Sequence, residues 1–145
     1  MDERIKEHLK HLQRYQLHLR DFQRIPQEQF INDDIGAASA ERFLHLSIES
    51  CLNIGNRLIS ILQFEMPVET PETYADIFAI LFKINILKKA LSEKMILMAK
   101  FRNRLVHLYW DIDRRELYRI IQEDIDDFSE FQNAIVEFLK KRNSK

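Results

Sequence analysis

RFLHLSIESCLNIGNRLIS, residues 42–60, carries apolar side chains on two sides of one segment. At about 100° per residue, Leu44, Ile48, Cys51, Leu52, Gly55, Leu58 and Ile59 fall on one helical stripe, which Leu62 continues. Phe43, Leu46, Ile54 and Ile61 form a second strip on another side. A helix lying on a surface needs only one such strip. Two strips call for either a central helix or one that meets a second subunit. Gly55 costs about 1 kcal/mol of helix stability against Ala, and its place on the main stripe implies that another helix crosses closely there.

The flanking sequence repeats the helical period. Ile5, Leu9, Leu12, Gln16 and Leu19 recur at three- and four-residue steps, so the first helix runs from about Asp2 to Arg24 and Pro26 ends it. A polar connector with Asn32, Asp33 and Asp34 can cap the helix from about Ile35 to Gln63. Pro67 and Pro71 bracket a loop, and a short helix follows through Lys83. A fourth helix spans about Leu87 to Tyr109, with Leu91, Met95, Met98, Ala99, Leu105, Val106 and Tyr109 on one face and Leu97, Phe101 and Leu108 on another. Asp113 followed by Glu116 resembles a capping box for a last helix reaching Lys140, with the basic tail KKRNSK as a frayed end.

The expected fold is therefore all-α: an up-down bundle of about five helices in a single domain over 1–145. Only 2 Gly and 3 Pro in 145 residues leave few of the turns a β-rich fold would need. The charges nearly cancel, with 22 basic and 23 acidic residues, so no global basic field marks a nucleic-acid binder and none excludes a local site. A single Cys51 offers no internal disulfide and suits a reducing compartment. Without a signal-like N-terminus or a membrane-length apolar run, the expectation is a soluble, cytoplasmic protein with no membrane association. Helices two and four are the candidate dimer contact; the alternative is that the other three wrap them.

FRNRLVHLYWD, residues 101–111, sets polar chemistry into an apolar helix. Arg102 falls at the centre of the stripe between Met98, Leu105 and Val106, so it needs an anionic partner or a cleft. His45, Glu49 and Asn53, spaced at i, i+4 and i+8 with Asn56 alongside, form a polar line on the second helix. A Glu49–Arg102 contact follows as the expectation, with Glu49 orienting the guanidinium rather than acting as an acid. His45 and Asn53 are candidate cleft-lining residues. Asn103 and His107 share a side of their helix. Arg102 and His107 stand about 140° and about 7.5 Å apart on it. They converge on one phosphate only where two copies of the helix meet, or at a distorted helix end.

Imidazole exchanges protons near neutral pH, with an unperturbed pKa of about 6.5. Guanidinium grips a phosphate oxygen and stays charged as negative charge builds there. Without a metal, the pair suits RNA cleavage by attack of a 2′-hydroxyl on its neighbouring phosphorus, and Asn103 can hold a sugar hydroxyl or phosphate oxygen. Elsewhere, His8, His11 and His18 lack the partners of a metal site. Arg104 reads as a solvated charge or an RNA backbone contact. Trp110 and Tyr118 suit helix-end packing or base stacking, and Met95 and Met98 fill core.

Arg102, His107 and Tyr109 reproduce the R-x-x-x-x-H-x-Y signature of HepT-type toxins in the HEPN superfamily of ribonucleases. The resemblance extends, in order, through Arg42–Ser60 as the family's second helix and TYADIFAILFK as its third segment. It implies an all-α homodimer whose Arg102 and His107 line a cleft at the two-fold and cut RNA with neither metal nor cofactor. It also implies a minimal nucleotidyltransferase antitoxin as partner, able to place AMP on Tyr109 and silence the nuclease. Asn53 stands where relatives often carry an acid. The alternative reading is a dimeric module that docks the nucleotidyltransferase and cuts nothing; the intact Arg-His pair favours the nuclease.

Overall fold

The helix centred on residues 42–60 is the axis of the molecule. A computed structural model describes residues 1–144, and these form seven helices: α1 (Glu3–Gln23), α2 (Gln27–Ile31), α3 (Asp34–Leu62), α4 (Tyr74–Lys83), α5 (Lys89–His107), α6 (Arg114–Glu123) and α7 (Asp126–Asn143). One 3₁₀ turn, Tyr109–Asp111, joins α5 to α6. Leu44, Ile48, Cys51, Leu52, Leu58 and Ile59 of the first strip are buried, as is Ile54 of the second. Of the rest of the second strip, Phe43 and Ile61 are half-buried against the same core, and Leu46 is half-buried. Helix α3 is thus central, with its first strip buried and its second partly covered within one chain.

Antiparallel packing of α1 on α3 is pinned at both ends. The Asp2 carboxylate caps α1 by accepting from Arg4 and Ile5 backbone N–H groups, and it also accepts from Arg57 Nη2 at 2.9 Å. That guanidinium holds the Asp2 carboxyl below its ordinary range. At the other end the His18 ring stacks on Phe43, with centroids 4.4 Å apart. Helix α4 crosses at Gly55, where an added Cβ would meet Ile77 Cγ2 at 2.5 Å and Leu81 Cδ1 at 3.2 Å. The close crossing expected at Gly55 is present.

Several boundaries differ from expectation, each for a local reason. The connector after Pro26 holds the short helix α2, which sends Phe30 into the core against Phe22 and Tyr118. The last helix is two helices. Ile125 and Phe128 are buried at the corner, and Asp126 and Asp127 open α7, where acids complement the N-terminal dipole. Asp113 does cap α6, but Glu116 is taken by Arg104 instead of completing a capping box. The box forms instead at α4, between Thr73 and Asp76. Most of the KKRNSK tail belongs to α7, and Arg142 pairs with Glu65, so the tail is not frayed there; Lys145 lies outside the described residues. No described helix is long and apolar enough to cross a membrane.

Gly55→Ala should destabilise the chain. Overpacking costs about 1–3 kcal/mol against a helix-propensity gain of about 1, so a net loss on the order of 1 kcal/mol is expected in urea unfolding. A midpoint that stays put or rises would show that α3 and α4 separate freely.

Candidate ribonuclease site

Arg102 lies on the α5 stripe whose neighbours Met98, Ala99 and Leu105 are buried, and only 13% of its side chain is exposed. Its Nε donates to Glu49 Oε1 of α3, as the sequence required. Its Nη1 donates to Asn103 Oδ1 at 3.3 Å. Its Cζ sits 4.5 Å from the centroid of the Tyr74 ring, at the first position of α4. Three helices therefore converge on one guanidinium. With Nε committed to Glu49, the fork still has terminal N–H groups for an incoming oxyanion.

Glu49 is itself held from the other side. His45 Nε2 lies 3.2 Å from the same Oε1, and Arg42 Nη1 lies 3.5 Å from His45 Nδ1. A ring that accepts from Arg42 at Nδ1 and donates to Glu49 at Nε2 makes one continuous relay toward Arg102. His45 supports Glu49 and borders a small cleft of about 240 Å³ with Glu41, Arg42 and Leu105. The larger cleft beside Arg102, about 480 Å³, is bordered by Glu49, Asn53, Asn56, Tyr74 and Asn103. The structure thus brings Glu49, Asn53 and Asn103 together at one opening, with Arg102 bonded to two of its walls. His45 lies outside it.

His107 and Tyr109 stand apart from that opening. Helix α5 ends at His107, not at Tyr109: Leu108 leaves helical geometry at φ −133°, ψ 42°, and Asp111 N–H closes the 3₁₀ turn on Leu108 O at 2.8 Å. The turn folds Asp111 back to 3.9 Å from Arg104, an approach that a straight helix would prevent. The distortion falls after His107, so His107 remains on the same helix as Arg102. Val106, Leu108, Tyr109 and Trp110 are all exposed, Tyr109 at 66% and Trp110 at 70%. Val106 and Tyr109 are therefore not part of the buried stripe, and Trp110 is not packed at a helix end. Tyr118, by contrast, is a packing residue whose hydroxyl donates to Ile25 O at 2.6 Å.

Arg104 is paired although 35% of its side chain stays exposed. Its Nη2 donates to Glu116 Oε2 at 3.0 Å and its Nη1 to Glu116 Oε1, tying α5 to α6 just behind the site. Tyr74 is the residue that sequence reading passed over. Its signal was the Thr73–Asp76 capping box, which fixes where α4 starts and so aims the first side chain of that helix. Two of the three α1 histidines are accounted for locally: His11 pairs with Glu7 and stacks on Tyr15, and His18 stacks on Phe43.

Known proteins place this architecture. A family model described as Ribonuclease HepT-like matches residues 5–135. A tRNA nuclease HepT from Aphanizomenon flos-aquae is 25% identical over 93% of this chain and 89% of its own. The putative RNase YutE of Bacillus subtilis is 29% identical over 74% of this chain and 72% of its own. Among solved structures, a tri-AMPylated Shewanella oneidensis HEPN toxin in complex with its MNT antitoxin superposes with a TM-score of 0.84 at 23% identity, covering 94% of this chain and 99% of that one. At that identity the superposition shows a shared fold. The match across residues 5–135 goes further, and the chain belongs to the ribonuclease HepT-like family.

Proposed function

We propose that the chain is the toxin of a toxin–antitoxin pair, a metal-independent endoribonuclease acting as a homodimer in the cytoplasm. The observation that carries this reading is the held guanidinium: Arg102 is fixed by Glu49 and Tyr74, with donors to spare beside an open cleft. Arg102 grips the scissile phosphate and neutralises charge as the phosphorane forms. His107 takes the proton of the adjacent 2′-hydroxyl, whose oxygen attacks phosphorus. The bond to the 5′-oxygen breaks, that oxygen takes a proton from water, and a 2′,3′-cyclic phosphate remains. Asn103 assists by steadying Arg102 and a sugar or phosphate oxygen.

The separation of Arg102 and His107 on one uninterrupted helix supports a two-subunit site, in which the arginine of one protomer works with the histidine of the other. The exposed Val106, Leu108 and Trp110 offer apolar surface beside His107 for that contact. The partner is a nucleotidyltransferase antitoxin, as in the Shewanella complex. It silences the toxin by docking and by transferring AMP to Tyr109. In that transfer the phenol oxygen attacks the α-phosphorus of ATP and pyrophosphate leaves. The exposure of Tyr109 suits it as acceptor. A second reading, a docking module that does not cut RNA, draws on the same exposed corner.

Two outcomes separate these readings. Purified His107→Ala and Arg102→Ala should each lose about 10²–10⁴-fold in RNA cleavage, with activity of the unaltered protein surviving chelation; cleavage at the original rate in either variant removes that residue from the reaction. Co-expression with the cognate nucleotidyltransferase should add AMP mass to the chain and none to Tyr109→Phe. Equal mass gain in both would move the acceptor elsewhere.

A further inference from the structure

The 480 Å³ cleft beside Arg102 falls within the roughly 300–1,000 Å³ of small-ligand sites, and its lining, unlike its Arg102 edge, holds no cationic side chain. Glu49, already paired with Arg102, and Glu72 border it, so the phosphate belongs at the Arg102 edge and not inside. Besides Leu52, Pro71, Thr73 and Ile77, the lining offers an aromatic ring and three primary amides. Tyr74 keeps 43% of its surface exposed although Arg102 lies over its ring. Asn53 and Asn56 are exposed on one edge of α3, three residues apart, and Asn103 faces the same opening from α5. Neither Asn53 nor Asn56 is engaged in any side-chain hydrogen bond among the described residues.

Building on the ribonuclease reading, we propose that this cleft is a nucleobase pocket that takes an unstacked adenine of the RNA next to the scissile phosphate. The flat ring of Tyr74 supplies the stacking surface that single-stranded bases use. Primary amides pair with adenine through its amino group and N7, and carboxylates on the rim accept from an exocyclic amine. Uracil, which presents two carbonyl oxygens to those carboxylates, fits worst. A second cleft, about 290 Å³, shares Asn53 and Asn56 with the first and is bordered by Arg4 and His8 of α1. Arg4 there gives the backbone leaving the base a cation to follow. The pocket thus supplies sequence preference to a phosphate grip that has none.

The test is to digest a randomised single-stranded RNA pool with the full chain and sequence the new ends. Adenine should be enriched at one fixed position relative to the cut. Asn53→Ala and Tyr74→Leu should each flatten that enrichment about tenfold, and Tyr74→Phe should retain it. Because the Asn53 side chain is exposed, its variant reports even if Tyr74→Leu fails to fold. Enrichment of another base, or a preference unchanged in Asn53→Ala, overturns the pocket while leaving the ribonuclease standing. Should the unaltered protein cut no RNA, the nuclease reading falls alone, and titration with 5′-AMP decides the pocket by NMR. Shifted side-chain amides of Asn53 and Asn56 support it, and unmoved ones overturn it.

Discussion

A guanidinium inside an apolar stripe is tolerable only if something anionic meets it, and the Glu49–Arg102 pair is that meeting. It ties α5 to the central helix at a level where the core would otherwise hold an unpaired charge, a strongly destabilising situation. The pairing also has consequences for neighbours. Glu49 must be oriented, which His45 and Arg42 do from the next turns of α3. Arg102 must be kept flat, which the Tyr74 ring does from α4. The close approach of α4 to α3 depends in turn on Gly55, since any larger residue would push Ile77 away. A backbone detail two turns along α3 from Glu49 thereby sets the position of the ring against Arg102.

Much of this was legible beforehand because periodicity reports burial directly. The stripe of Leu44 to Leu62 gave a helix, Gly55 on it gave a crossing, and Arg102 on the facing stripe demanded a carboxylate that only Glu49 offered at the right spacing. What stayed hidden was long-range. Nothing local in Arg104 reveals that Glu116, twelve residues on, folds back to hold it. The break at Ile125 is likewise invisible to a pattern that continues in phase through it. The helix end at His107 was missed because Tyr109 has the right phase for the stripe. Phase carries no information about whether a partner exists to bury the ring.

That unburied corner is where one chain looks unfinished. His107, Leu108, Tyr109 and Trp110 are consecutive and exposed, while the cationic half of the proposed chemistry is tucked beside α3 and α4. A monomer presents the two groups on different sides of one helix. In the proposed dimer a second copy brings its His107 to the first copy's Arg102, and the proposed antitoxin acts on the same exposed phenol.

That resolution is open to direct measurement. Differently tagged Arg102→Ala and His107→Ala chains, co-expressed and purified through both tags, yield a mixed dimer with one intact arginine and one intact histidine on opposite subunits. If the working pair spans the interface, one of two sites is whole, and RNA cleavage returns to about half that of the unaltered dimer. A mixed dimer as inactive as either parent variant, or failure of the two chains to co-purify, would contradict the account.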